Sequence, residues 1–150
     1  MDLKTIDDAA TENPSEWASK NIEQYLRSDG EDVQHPMADR MILLYTKGRK
    51  TGKIRRTPIV HVPDGDDLIV IASKGGAPKN PEWFLNLQAD PQVWVRHKSD
   101  VFEAGAEILE GEEHQEMWQR VTDWAPGFQA YQDRTERKIP LIRLSPVRAA

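Results

Sequence analysis

The run Arg40-Met41-Ile42-Leu43-Leu44-Tyr45-Thr46 is followed by Ile54-Arg55-Arg56-Thr57-Pro58-Ile59-Val60-His61-Val62 and then by Leu68-Ile69-Val70-Ile71-Ala72. These three stretches decide how the chain folds. Residues 40–46 are apolar on both faces of an extended backbone, 54–62 are rich in β-branched residues with interruptions, and 68–72 form a buried-type run, so all three read as strands. Pro63-Asp64-Gly65-Asp66 joins the second to the third, and Asp-Gly between apolar runs is a strong hairpin signal. Three strands in direct succession imply an antiparallel meander.

Downstream, Ser73-Lys74-Gly75-Gly76-Ala77-Pro78-Lys79-Asn80-Pro81 is too rich in Gly and Pro to be other than a loop. Asn80 as N-cap, Pro81 at the first helical position and Glu82 behind it start a short helix through Trp83, Phe84, Leu85 and Leu87, ended by Asp90-Pro91. Residues 92–97 and 101–109 read as another antiparallel pair, with Phe102, Ala104, Ala106 and Ile108 on one face and Glu103 and Glu107 on the other. A helix is expected over 112–124, with Met117, Val121 and Trp124 on one side and both Trp118 and Trp124 in the core. The aromatic stretch from Phe128 to Tyr131 precedes a last strand at 141–144.

Upstream, the first dozen residues are polar and expected to be mobile. Asn13 as N-cap, Pro14 at the first position and Glu16 then open a helix carrying Ala18, Ile22, Tyr25 and Leu26, which Ser28-Asp29-Gly30 closes. At least six strands with hairpin connections and three or four short helices make an α+β protein with a dominant antiparallel sheet. A six-stranded barrel uses these strands without leaving long exposed edges. The expected organisation is an N-terminal segment with an amphipathic helix over 1–36 and a barrel over 37–150, one domain overall.

With 38% hydrophobic and 30% charged residues among 150, the chain has the composition of a soluble globular domain. No apolar stretch approaches the ~20 residues of a membrane span. No secretory leader is read at the N-terminus, so a cytoplasmic location is the default expectation. The absence of cysteine excludes disulfides, thiolate nucleophiles and Cys-based metal sites. The four histidines are scattered, and no metal site is expected. The net charge of −5 speaks against general nucleic-acid binding.

Against that acidic background, Lys47-Gly48-Arg49-Lys50-Thr51-Gly52-Lys53-Ile54-Arg55-Arg56 holds six positive charges and no negative one. Two glycines let the backbone turn tightly and expose amides, which with Arg and Lys suit phosphate and carboxylate oxygens. The segment lacks the GxxxxGK[ST] spacing of a Walker loop, and there is no GxSxG, no Rossmann fingerprint and no βαβ order. The paired acids Asp66-Asp67 and Glu112-Glu113 sit at a turn and a helix start, where acid is structurally expected. A second glycine-bearing basic loop, residues 74–79, follows the third strand. Gly75-Gly76 permits close approach of a flat group and Trp83 offers an aromatic wall, so the two loops suit an extended anion with a planar head, as in a flavin-type cofactor. A phosphorylated-ligand module and a plain solvated hairpin fit the same residues.

Four blocks in fixed order carry a family resemblance: Gly48-Arg49-Lys50-Thr51-Gly52; Arg55 with Pro58; Ala72-Ser73-Lys74-Gly75-Gly76 with Lys79-Asn80-Pro81-Glu82-Trp83; and Leu85-Asn86-Leu87 with Asp90-Pro91. The tail, Tyr131 with Arg137-Lys138-Ile139-Pro140, is similar to the same family's. Over residues 41–146 the chain resembles the deazaflavin-dependent nitroreductase family, oxidoreductases that use coenzyme F420. The resemblance implies a split β-barrel of the FMN-binding, pyridoxamine-phosphate-oxidase-like class, often dimeric. It implies reduced F420 as hydride donor to a small electrophilic acceptor such as a quinone, an enone or unsaturated lactone, or a nitro compound.

Carried onto matching positions, Arg49, Lys50, Thr51, Gly52 and Arg55 would bind the cofactor's phosphate and polyglutamate tail. Thr57, Pro58 and Ile59 would border the ring, and Ser73, Lys74, Gly75, Asn80 and Trp83 would complete the groove. Ser73 and Tyr131 are the implied catalytic groups, Ser73 at the polar edge of the ring and Tyr131 as a proton source. Phe128 and Ala125 stand where some members have tyrosines. The family's N-terminal region often closes the site or touches membranes, so a weak membrane-surface contact and a homodimer belong to the same expectation. An FMN-dependent oxidoreductase on the same barrel and a non-catalytic F420-binding module are the alternatives.

Overall fold

The computed structural model describes Leu3 and residues 5–147. The chain runs α1 (Ile6–Ala9), β1 (Ala10–Thr11), α2 (Glu16–Ser28), β2 (Met41–Lys47), β3 (Ile54–Asp64), β4 (Asp67–Ile71), α3 (Glu82–Ala89), β5 (Gln92–His97), β6 (Asp100–Ile108), α4 (Gly111–Trp124), α5 (Gly127–Asp133) and β7 (Leu141–Pro146). Six strands close on themselves in the order β3-β2-β5-β6-β7-β4, all antiparallel, and β4 pairs back onto β3. The 11-residue β3 makes closure possible: its first part pairs with β2 and its last four residues with β4. The Asp64–Asp67 hairpin turns through Gly65 at φ +61°, as its Asp-Gly signal requires.

Three apolar clusters explain why β2 and β4 are apolar on both faces. Ile42, Leu44, Leu68, Val70, Val93, Val95, Ile142 and Leu144 fill the barrel, and α3 seals it with Trp83, Phe84 and Leu87. On the outside, Met41, Leu43 and Tyr45 of β2 pack with Ile6, Ile22, Tyr25 and Val33 of the N-terminal region. Ile69, Ile71 and Leu141 pack with Met117 and Val121 of α4 and Phe128 of α5. Each doubly apolar strand is a wall between the lumen and a covering layer.

Three expectations are corrected. Residues 5–11 are held, not mobile: Ile6 is fully buried, β1 adds in parallel to β3, and Asp7 accepts hydrogen bonds from Tyr45 (2.7 Å), Arg56 (2.9 Å) and Arg96 (2.8 Å). The α2 cap is Ser15, whose Oγ accepts from the Ala18 amide at 3.2 Å; Asn13 instead braces the entry, accepting from the Ser15 amide and donating to the Arg56 carbonyl. Pro81, not Asn80, is the cap position of α3, because the Asn80 side chain is engaged by Arg137. Among the described residues no helix is long and apolar enough to cross a membrane.

Candidate active site

The basic β2–β3 connection is closed by its own backbone. The Gly48 amide donates to the Lys53 carbonyl and the Gly52 amide to the Gly48 carbonyl, both at 2.7 Å, with Gly52 at φ +72°. A turn this tight leaves the side chains on its outside. Arg49 is tied down separately: its amide and its Nη1 both donate to Oδ1 of Asn86, at 3.2 and 3.0 Å, and Nη1 also reaches Glu82 at 2.7 Å. Asn86 is buried on α3 and donates to the Thr46 hydroxyl at 3.2 Å. The hydrogen bond from Arg49 holds the exposed Glu82 carboxyl below its ordinary value.

Beside this turn lies a compartment of about 380 Å³ ringed by cations, lined by Arg49, Lys50, Thr51, Arg55 and Thr57 together with Trp83. A larger cleft of about 1210 Å³ adjoins it, bounded by Pro58, Ile59, Ser73, Lys74, Gly75 and Tyr131 and lined mainly by apolar and aromatic side chains. The two share Asn13, Pro14, Thr57, Glu82 and Trp83. One groove therefore passes from a cationic end to an apolar end across the Trp83 ring. Single-ligand pockets are typically about 300–1,000 Å³, so the cleft has room for a planar ring and a second molecule against it.

The loop after β4 is fixed from the C-terminal side. Arg137 donates from Nε to the Ala77 carbonyl (2.8 Å), from Nη1 to the Ala72 carbonyl (3.1 Å) and Asn80 Oδ1 (2.9 Å), and from Nη2 to the Ser73 carbonyl (2.6 Å). Burial draws its pKa down from the ordinary arginine value. Gly76, at φ +81°, lies so close to α5 that a Cβ there would sit 2.5 Å from the Tyr131 carbonyl oxygen. Loop 73–76 and the Tyr131 helix are thus one packed unit. Tyr131 itself stands edge-on to Phe128 at 5.8 Å, with the Arg134 guanidinium 5.5 Å from its ring.

Of the residues singled out from the sequence, Arg49, Lys50, Thr51, Arg55 and Thr57 line the cationic compartment, and Thr57, Pro58, Ile59, Ser73, Lys74, Gly75 and Tyr131 line the cleft, with Trp83 common to both. Gly52 and Asn80 line neither: the first shapes its turn, the second anchors Arg137. Trp124, expected in the core, is half-buried against the α4–α5 cluster and also lines the cleft, with the Arg40 guanidinium 5.4 Å from its ring. Trp118 is half-buried against the α4–α5 cluster. Trp17, His35 and Met37 also line the cleft, although no local pattern marked them. Trp17 arrives there on α2, which packs across β3, and His35 and Met37 arrive on the linker that follows α2, through long-range contacts with no periodic signature.

A family model described as F420H(2)-dependent quinone reductase matches residues 17–146. An F420H(2)-dependent quinone reductase of Mycobacterium tuberculosis is 35% identical over 113 residues, covering 73% of this chain and 76% of the relative. A solved F420-H2 dependent reductase is similar with a TM-score of 0.65 and 36% identity, over 71% of this chain and 94% of that one. A structure described as a domain-swapped dimer has a TM-score of 0.67 and 33% identity, covering 89% of this chain and all of the other (100%). A Listeria innocua protein assigned to the pyridoxamine 5'-phosphate oxidases shares the fold alone, at 17% identity and TM-score 0.51, over 85% and 94% of the two chains.

Proposed function

The chain belongs to the F420H(2)-dependent quinone reductase family, and from that premise we propose that it passes a hydride from reduced F420 to a quinone-type acceptor seated in the apolar cleft. The observation that carries this reading is the two-ended groove, cationic at one end and apolar and aromatic at the other, with Trp83 shared. A cofactor with a phosphate, an acidic tail and a flat ring matches that sequence of surfaces.

When bound, reduced F420 supplies the hydride. The chain's own residues do the rest. Lys50, Thr51, Arg55 and the pre-held Arg49 take the phosphate and tail; neutralisation by several cations exceeds what one phosphate needs and favours F420 over FMN. Thr57, Pro58, Ile59 and Trp83 border the ring, and Ser73, Lys74 and Gly75 meet its polar edge. The apolar walls exclude water around the transfer, and fixed dipoles stabilise the charge that develops. Phe128 and Ala125 put no hydroxyl into the acceptor space, which favours a carbonyl acceptor over a nitro compound needing several donors. By likeness to the domain-swapped relative, the protein is also proposed to form a homodimer, read by its mass in solution.

Purified protein is mixed with reduced F420 and menadione, and the return of the oxidised-deazaflavin absorbance is followed. Turnover is expected, with Lys50→Ala and Arg55→Ala each weakening F420 affinity about tenfold. No F420 binding, together with no turnover on a quinone, an enone or a nitro acceptor, overturns the reading.

A further inference from the structure

The N-terminal part of the chain contributes one polar ring to the cleft. His35 lines it beside Trp17 and Met37. Its Nδ1 accepts the Met37 backbone amide hydrogen at 3.0 Å. An imidazole nitrogen that accepts a hydrogen bond carries no proton, so the neutral ring bears its hydrogen on Nε2. The Trp17 indole meets the same ring at 5.9 Å between centroids and 63° between planes. His35 is therefore held by its own backbone turn at one nitrogen and braced by an aromatic neighbour. Among the described residues no protein acceptor meets Nε2, which leaves its hydrogen for a ligand in the cleft.

We propose that His35 is a catalytic residue that donates its Nε2–H to a carbonyl oxygen of the acceptor. The proposal rests on the cleft taking a carbonyl-bearing acceptor. Hydride addition to such an acceptor, with reduced F420 oxidised as it gives up the hydride, leaves a hydroquinone anion that takes its remaining proton from solvent. Negative charge develops on the acceptor's oxygen, and a pre-oriented donor there stabilises the transition state more than the ground state. The contact with Met37 matters because it fixes the tautomer: a ring flipped to Nδ1–H would present a lone pair where the acceptor's oxygen has its own. Ser73, Lys74 and Tyr131, which also line the cleft, belong to the packed unit of loop 73–76 and α5. His35 comes from the linker after α2 and adds a neutral ring donor from a different part of the cleft lining.

The test uses menadione, which the chain has no cysteine to trap. In full-length protein carrying 15N-histidine and no cofactor, His35 is expected as the Nε2–H tautomer, and its Nε2 resonance moves on adding menadione. With reduced F420, H35F is expected to lower kcat/KM for menadione at least tenfold, chiefly through kcat, with F420 affinity within twofold of the original. H35Q, which retains an amide N–H, recovers part of that loss. An Nδ1–H tautomer, an unmoved resonance, or H35F turning over like the original protein overturns the proposal. Should H35F not fold, H35Q and the titration decide. Should the original protein reduce no acceptor, the proposed function fails, and the resonance shift still separates a His35 that meets a quinone from one that does not.

Discussion

Asn86 holds Arg49 twice through one oxygen: the Arg49 amide and its guanidinium both donate to Asn86 Oδ1, while the Asn86 amide group is anchored on Thr46. A side chain buried in the barrel seal thus orients a cation at the mouth of the groove. The entropy of ordering that arginine is met on folding and not on cofactor binding.

Asn86→Ala is therefore expected to weaken F420 binding about tenfold and to cost about 1–2 kcal/mol of stability, since the Thr46 hydroxyl and the Arg49 amide lose their partner. Isothermal titration and urea unfolding read the two effects separately. Unchanged affinity would show that the orientation of Arg49 does not matter.

Gly76→Ala places a methyl group against the Tyr131 carbonyl oxygen, 2.5 Å away, on a backbone at φ +81°. Both penalties act together, and a loss of about 2–3 kcal/mol is expected. Because the loop and α5 move apart, the KM for acceptor should rise more than the affinity for F420 falls. Thermal melts and steady-state kinetics check this.

Asp7 ties α1 to the barrel. Burial works against its ionisation, but hydrogen bonds from Tyr45, Arg96 and Arg56 prevail and hold its carboxyl below the ordinary 3.8. A depressed acid stabilises the fold above its ordinary value and loses that contribution as pH falls through the lower folded value. Asp7→Asn leaves Arg56 and Arg96 without their carboxylate. It should cost about 2–4 kcal/mol at pH 7 and make residues 5–11 exchange amide hydrogens faster, which hydrogen-exchange mass spectrometry detects.

His61 is buried and its Nδ1–H donates to the Arg40 carbonyl at 2.8 Å. Desolvation takes its pKa from 6.5 down to about 4, with the neighbouring His97 adding to the shift. The unfolded chain binds the proton more readily across that window, so stability is full above pH 6.5 and falls as pH drops toward about 4. The loss is on the order of 2–3 kcal/mol. His61→Gln should be less stable at pH 7 yet flatter between pH 6.5 and 4, as denaturant midpoints across that range would report. Parallel curves would assign the acid loss elsewhere.

The strand meander was legible because Asp-Gly at 64–65 and the apolar runs around it are local signals. The turn at 48–52 was legible because glycine and charge stand side by side there. Trp17, His35 and Trp124 were not legible as a site: each sits in a helix or linker whose own pattern is satisfied by ordinary packing. Asn80 and Asn13 carried cap signals that tertiary partners, Arg137 and the Arg56 carbonyl, took over. The polar opening segment hid Ile6 and Asp7, because one apolar residue and one acid make no periodicity.

By itself the sequence determined the antiparallel strands, the cationic turn and the family's ordered blocks, since each depends on residues within a few positions of one another. The tertiary structure alone decided that the barrel closes through the length of β3 and that α3 plants Asn86 under Arg49. It also decided that α2 and the linker after it bring Trp17 and His35 to the same cleft as Tyr131. Closure and convergence are long-range, and their stabilisation comes from burying faces that no short window of sequence contains.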